Sequence, residues 1–490
     1  MSIFKDIMMN KSLFALIAVI AVCTSCAKEI QEVEAVGSEQ QTLMTKLVGG
    51  SQKENVPTQY HLGTASNSSY FVTTQELDKM ITHLHNCSNR PNRQLSYETI
   101  SYGLDNCQTL LYIVNYADDK WEIISADKRT PMIIASGEGY FKPDTTENGS
   151  MFYLNMIAEQ VLKIRQNDTI YETGFQNILK WSEISKQPLI LLDTQKNISE
   201  YLYPIDSRSS QNTAQIGPLL YTQWGQSGHN DMYNLYCPFK VSPPTERVPA
   251  GCVAVAGAQV LHYLYKTLNT KVFMPNFANC NGNFKNYSQE FSPFCNNFFI
   301  RDIPLNKADT TKDKKYTSIF LAWIGNTIGI EYGNDVSTAR TLSLSKIFDL
   351  YKVDYSYSDS LNVQIAINSI KNEMPIIVSG QKMGTKSDGT EKIGHCWVID
   401  GYKSITTKTT HFFYLSPYEL SQEEISALTI SDSNYKTVTN STVEYFNMNW
   451  GWSGNHDGLF LISANNWDPI KPIDSPYDRT IRMIYEFKNK

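Results

Sequence analysis

Gly251-Cys252-Val253-Ala254-Val255-Ala256-Gly257-Ala258-Gln259-Val260-Leu261-His262-Tyr263-Leu264-Tyr265-Lys266 decides how this chain is read. Val253, Ala256, Val260 and Leu264 recur at steps of three and four, so they share one face of a buried helix. Cys252 falls at its predicted first turn, after Pro249-Ala250-Gly251. Unsatisfied backbone N–H groups and the positive end of the helix dipole meet there, and both favour a thiolate. Gly251 lets a substrate carbonyl come close to the backbone. The Cys252 N–H is placed to donate to an oxyanion. Taken alone, a cysteine in such an apolar run is more often a small buried hydrophobe.

Working outward, residues 316–330 and 361–373 read as further helices. After Pro375 the texture changes. Residues 376–380, 396–402, 411–416, 443–449 and 459–463 are short runs rich in Ile, Val, Phe, Tyr and Trp, bounded by turns. Helices first and strands later predict an α+β domain with a helical side and an antiparallel sheet side. Upstream, residues 75–86 and 151–166 read as helices, and 110–116 and 121–126 as strands around an Asp-Asp-Lys turn, giving a second α+β unit. His83, His85 and Cys87 have metal-like spacing there, but a solvated helix end is the preferred reading. Between the halves, residues 203–216 are polar and rich in breakers, which predicts an exposed linker.

Two downstream residues complement Cys252. His395 follows Ile393-Gly394 and opens the apolar run Cys396-Trp397-Val398-Ile399, so it is predicted to project from a strand start. Asn449 lies in Asn447-Met448-Asn449-Trp450-Gly451-Trp452, where its side-chain carbonyl could hold an imidazole N–H and Trp450 could shield that contact. A Cys nucleophile, a His base far downstream and an Asn orienter, in that order, are what papain-like proteases use.

The second half resembles the streptopain and interpain family of bacterial papain-like cysteine proteases. The matching pieces are Leu219 to Gln226 (LLYTQWGQ), Tyr233-Asn234 with Cys237-Pro238, Gly251 to Ala256 with Gln259, and Gly329 to Gly333 with Ser337. Further on they are Pro375 to Gly380, Gly394-His395 with Val398 to Gly401, and Asn449 to Gly454 with Asp457-Gly458. The resemblance implies a papain-like fold of two subdomains over residues 217–490. It implies Cys252 as nucleophile, His395 as base, Gln226 as oxyanion donor, Asn449 as orienter of His395, and Trp450 packed over that contact. The segment from Ser227 to Met232 lacks the family's usual Pro and is longer. Residues 118–141 resemble the family's propeptide, with Ser125-Ala126-Asp127-Lys128-Arg129 as the recurring stretch. That makes residues 46–206 an inhibitory prodomain, residues 207–216 a processing linker, and the own prodomain the enzyme's intramolecular partner. The new N-terminus is then expected between Asp206 and Gly217.

The ends and the composition fix the setting. Lys5 and Lys11 precede the apolar run Leu13–Val22, which is too short to span a bilayer. Ser25 before Cys26 resembles the lipobox of bacterial lipoproteins. Residues 1–25 are therefore expected to be a signal peptide, Cys26 a lipidated membrane anchor, and 26–45 an acidic tether. Removing Cys23 and Cys26 from the nine cysteines leaves an odd set, so one is either unpaired by accident or a working thiol. Cys87 with Cys107 and Cys280 with Cys295 are close enough to pair, but spacing does not decide connectivity. Lys and Arg number 43 against 49 Asp and Glu, so no basic excess points to nucleic acid. The expected reading is the precursor of an exported cysteine endopeptidase acting on protein or peptide substrates, with no cofactor and no metal. An inert protease-like scaffold that binds or inhibits other proteins is the alternative.

Overall fold

The computed structural model describes residues 70–87, 95–104, 108–143, 149–166, 172–193, 198–227, 233–267, 311–382, 394–464 and 479–490. The signal, the tether, Cys26, and Cys107, Cys280 and Cys295 with both candidate pairings lie outside them.

The first half contains helix α1 (Thr74–Cys87), strands β1 (Tyr97–Tyr102), β2 (Leu111–Tyr116), β3 (Lys120–Ser125) and β4 (Ile133–Glu138), helices α2 (Gly149–Gln166) and α3 (Glu172–Ser185), and strand β5 (Leu189–Asp193). Strand β6 (Ile198–Ile216) follows. The second half contains helix α4 (Cys252–Thr267), α5 (Thr311–Ile328), α6 (Ser345–Leu350), β7 (Val353–Ser358), α7 (Val363–Lys371), β8 (Ile376–Lys382) and β9 (His395–Ser416). Helix α8 (Gln422–Ala427) and strands β10 (Tyr435–Asn449), β11 (Gly458–Ala464) and β12 (Arg479–Asn489) complete it.

The predicted α+β class is what these elements form. Helix α4 lies over the sheet with its apolar face in a core of Val253, Ala256, Val260 and Leu264 against Phe320, Trp323, Ile347 and Val398. Asp119 takes a left-handed φ of 58° in the turn between β2 and β3, a conformation that a short polar side chain tolerates. The side chain of Asn362 accepts from Ile365 N at 3.1 Å and caps α7.

The described strands join in one antiparallel sheet of order β1-β2-β3-β4-β11-β10-β9-β8-β12-β7, with β6 beside β9 and β5 beside β6. The junction of the halves is a backbone ladder: Gly458, Leu459 and Phe460 of β11 oppose Gly137, Ser136 and Ala135 of β4. One apolar cluster crosses it, with Leu111, Ile123, Met151 and Leu154 packed in common with Trp397, Phe446, Trp450 and Phe460. Burial of each such side chain stabilises by roughly 1.5–3 kcal/mol, so the halves are held together tightly. Asp127, fully buried, bridges Arg129 at 2.8 Å and Arg165 of α2 at 3.5 Å. Arg165 also donates to Ala126 O at 2.6 Å, which clamps the end of α2 onto β3.

Two expectations are corrected. Residues 203–216 are a strand and not a linker. Their polar side chains are compatible with a sheet because β6 is an edge strand, half open to solvent, whose backbone bonds to β9 from Tyr201↔Ser416 to Ile216↔Tyr402. The runs 396–402 and 411–416 are one continuous strand. The intervening Lys403–Thr410 is polar, yet it is laddered to β6 on one side and β10 on the other. Its threonines fit a pleated sheet wet on its faces.

Candidate active site

Helix α4 starts at Cys252, as predicted, and the thiol is held against backbone N–H groups of Cys396, Val253 and Cys252 itself. Burial raises its pKa above the ordinary value, and those N–H bonds pull the other way. Gly251 precedes it at φ 92°, where an L side chain is strained. A Cβ there would also come within 2.8 Å of Ile330 Cδ1 and 3.3 Å of Ser337 O. Gly251 is therefore required by backbone conformation and packing, a reason the sequence did not supply. Gln226 is buried, and its main-chain carbonyl accepts from Ala250 N at 2.8 Å. That bond ties the predicted oxyanion donor to the segment entering Cys252.

His395 opens β9, as predicted. Its Nε2 lies 2.9 Å from the Trp450 carbonyl. A carbonyl only accepts, so the proton sits on Nε2 and Nδ1 carries the lone pair a base needs. Burial lowers the imidazole to about 4, with the Trp450 bond opposing that fall. The ring is parallel to Trp397 (6.3 Å between centroids, 8°) and to Trp452 (6.1 Å, 18°).

Asn449 is where a correction falls. The expected bond from its side chain to His395 is replaced by the main-chain carbonyl of Trp450. The Asn449 amide is already committed: Oδ1 accepts from Gln259 Nε2 at 3.0 Å and Gly451 N at 3.2 Å, and Nδ2 donates to Thr222 O at 2.9 Å. These bonds fix the backbone on both sides of Trp450, so Asn449 positions the carbonyl that holds the imidazole. Trp450 itself is fully buried, edge-on to Phe460 at 5.1 Å, and packs beside His395 rather than over a bond from Asn449 to it. Gln259 of α4, through Asn449 and a 3.1 Å bond from Trp224 N, links three segments of the site. Asp457 accepts from Trp450 N at 2.8 Å. Sequence reasoning noted both residues as matches but assigned them no role, because each acts through a main-chain contact that only the fold creates.

The first half reaches this site directly. Gly149, the first residue of α2, is buried against His395 and Trp450; a Cβ there would overlap the imidazole Cδ2 and the indole Cε3 and lie 2.9 Å from Nε2. The next residue, Ser150, places its hydroxyl 2.9 Å from His456 Nδ1, and Phe141 stacks on the same ring at 4.0 Å.

Residues 224–460 match the model of the Peptidase C10 family. This segment belongs to the Peptidase C10 family. The C10 segment is thus of a cysteine-peptidase family, and Cys252, His395, Asn449 and Gln226 all fall inside it. Streptopain of Streptococcus pyogenes is 22% identical to the chain over 393 residues, spanning 77% of the chain and 80% of streptopain. Among solved structures, prointerpain A of Prevotella intermedia is similar at 18% identity and a TM-score of 0.41, covering 81% of the chain and 100% of that fragment. Active wild-type interpain A of the same organism is similar at 19% identity and a TM-score of 0.31, covering 55% and 94%.

The buried carboxylates beneath the site predict a pH dependence. Burial raises Asp457 to about 8, the Trp450 N–H opposes that, and the charge of Asp400 adds to it. The ordinary value is 3.8. A folded-state value above the unfolded one means the fold binds the proton more tightly. The stabilisation is full below the unfolded value and is lost as pH rises through the folded one. Between about pH 5 and about pH 8 the full chain should lose melting temperature, and Asp457→Asn should lose less. Thermal scans of both proteins check this; parallel pH slopes would remove Asp457 as a titrating group.

Proposed function

We propose that the chain is the precursor of an exported cysteine endopeptidase, kept latent by its first half. The observation that carries this is the seating of Gly149 on His395, the residue before Cys396, whose backbone N–H meets the Cys252 thiol at the start of α4. In the closed chain, burial keeps thiol and imidazole neutral. Withdrawal of α2 admits water and substrate and relieves that desolvation, so the imidazole value rises, the thiol value falls, and the proton passes from Cys252 to His395 Nδ1. The thiolate then attacks a peptide carbonyl. The Gln226 amide and the Cys252 N–H hold the oxyanion. His395 returns a proton to the leaving amine, and water hydrolyses the thioester. Asn449 acts as a positioning residue through the Trp450 carbonyl. The first half, up to strand β6, serves as the inhibitory prodomain, and protein or peptide chains as substrates.

A thiol-reactive peptidyl epoxide tests this directly. After incubation of residues 27–490 with reductant, one equivalent should attach at Cys252, read by intact mass and peptide mapping. Labelling no greater than that of denatured protein would leave an inert scaffold as the better reading.

We also propose export with lipidation at Cys26, supported by the apolar run 13–22 and the Ser25-Cys26 junction. The thioether needs the cysteine sulfur, so Cys26→Ser should move the protein from the membrane to the soluble fraction on cell fractionation. Unchanged membrane partitioning would mean that residues 13–22 remain as the anchor.

A further inference from the structure

We propose that the stretch of β6 laddered to β9, Tyr201–Ile216, is a permanent part of the protease and that maturation cleaves the chain upstream of Tyr201. This rests on the reading of the chain as a processed precursor, and it moves the new N-terminus out of the 206–217 interval that composition favoured.

The argument starts from backbone accounting. From Tyr201 to Ile216 the strand is laddered to β9, the strand that begins with His395. Its side chains are tied to the same strand: Ser209 Oγ lies 2.9 Å from Thr409 Oγ1, and the Arg208 guanidinium sits 5.5 Å over the Phe412 ring. At one end Tyr203 is buried, with its hydroxyl accepting from Leu420 N at 2.6 Å on the connection from β9 to β10. At the other, Leu219 N donates to Asp400 O at 2.7 Å and Leu220 N to Asp400 Oδ2 at 3.2 Å. The join is close, since a Cβ on Gly401 would sit 3.0 Å from Ile216 O. The strand therefore runs without a break into the segment that carries Gln226.

A peptide bond in a ladder is a poor substrate. The attacking thiolate needs its carbonyl carbon open on one face, and the flanking residues must leave the sheet to lie in a cleft. Cutting inside β6 requires local unfolding of the strand first, and the rate is reduced by the small open population. A cut inside it would also leave part of β9 with unpaired N–H and C=O groups, an exposed edge that invites aggregation. Hydrolysis before Tyr201 adds one water across a single bond, frees a carboxylate on the prodomain and an amine on the strand, and leaves the ladder to β9 whole; only the short pairing with β5 is given up.

Arg208 supplies an internal probe. Its side chain is 44% exposed, so trypsin can reach it, yet the Arg208–Ser209 bond lies within the ladder. Full-length protein is digested with limiting trypsin, and separately left to process itself in reductant; fragments are read by intact mass and N-terminal sequencing. The expected result is that Arg208–Ser209 survives the folded chain and that the active fragment starts at or before Tyr201. Ser210→Pro and Gln211→Pro are adjacent, so one of them removes a ladder N–H. At least one should make Arg208–Ser209 cleavable, which shows that pairing gives the protection. An active fragment starting between Tyr203 and Gly217, or cutting at Arg208 as fast as at exposed loops, overturns the proposal. So does protection that neither proline variant lifts. Failure of self-processing tells against the precursor reading instead, while the trypsin result still decides the strand.

Discussion

Replacing Cys252 by alanine is expected to abolish peptide hydrolysis, by at least roughly a thousandfold, and to leave the precursor uncleaved under reductant. The thiol is at the start of α4 among three backbone N–H groups, whereas the thiols of Cys237 and Cys396 are buried in the core of the second half and burial pushes both to higher pKa. The fold should survive, because the exchange leaves Val253 to Leu264 and their core untouched. His395→Ala should be nearly as severe, since it removes the base. Asn449→Ala should cost less, because the imidazole is held by the Trp450 carbonyl and Asn449 only positions that carbonyl. Casein hydrolysis by purified variants checks the order. Residual activity of Cys252→Ala near the parent's level would sink the nucleophile assignment. Equal losses for all three would give Asn449 a chemical role.

The second large effect is expected at Gly149. A valine there meets a wall that cannot give way. His395 is bonded to the Trp450 carbonyl and lies between Trp397 and Trp452, while Trp450 is backed by Phe460 and Trp397. The start of α2 must move instead. Overpacking of this kind costs on the order of 1–3 kcal/mol, which shifts the balance between seated and lifted α2 by roughly tenfold or more. In the uncleaved Gly149→Val chain, the initial rate of epoxide labelling at Cys252 should therefore rise about tenfold. The far end of α2, clamped by Asp127 and Arg165, keeps the first half folded while its near end lifts. An unchanged or lower labelling rate, with the chain folded by thermal scan, would show that α2 is not what closes the site.

The sequence by itself determined the parts whose signal is local. The helix over 251–266 was legible from apolar steps of three and four, and its start from Pro249 to Gly251, because both depend on residues within a few turns. Helix α1, helix α2 and the hairpin of β2 and β3 were legible for the same reason. The candidates Cys252 and His395 were legible from residue type and order along the chain, and Gln226 only from the resemblance to the family. Strand β6 was not, because its side chains are those of a loop and its stability comes from β9, about two hundred residues away. The partner of His395 was not legible either: a main-chain carbonyl leaves no mark in a sequence, so the side chain of Asn449 stood in for it. Gly149 carried no signal at all. Its place on the imidazole is set by how α2 is clamped to β3 and how β4 extends the sheet at β11. Long-range pairing and the packing of one half on the other are what the tertiary structure alone decided, since neither is encoded in any short window of residues.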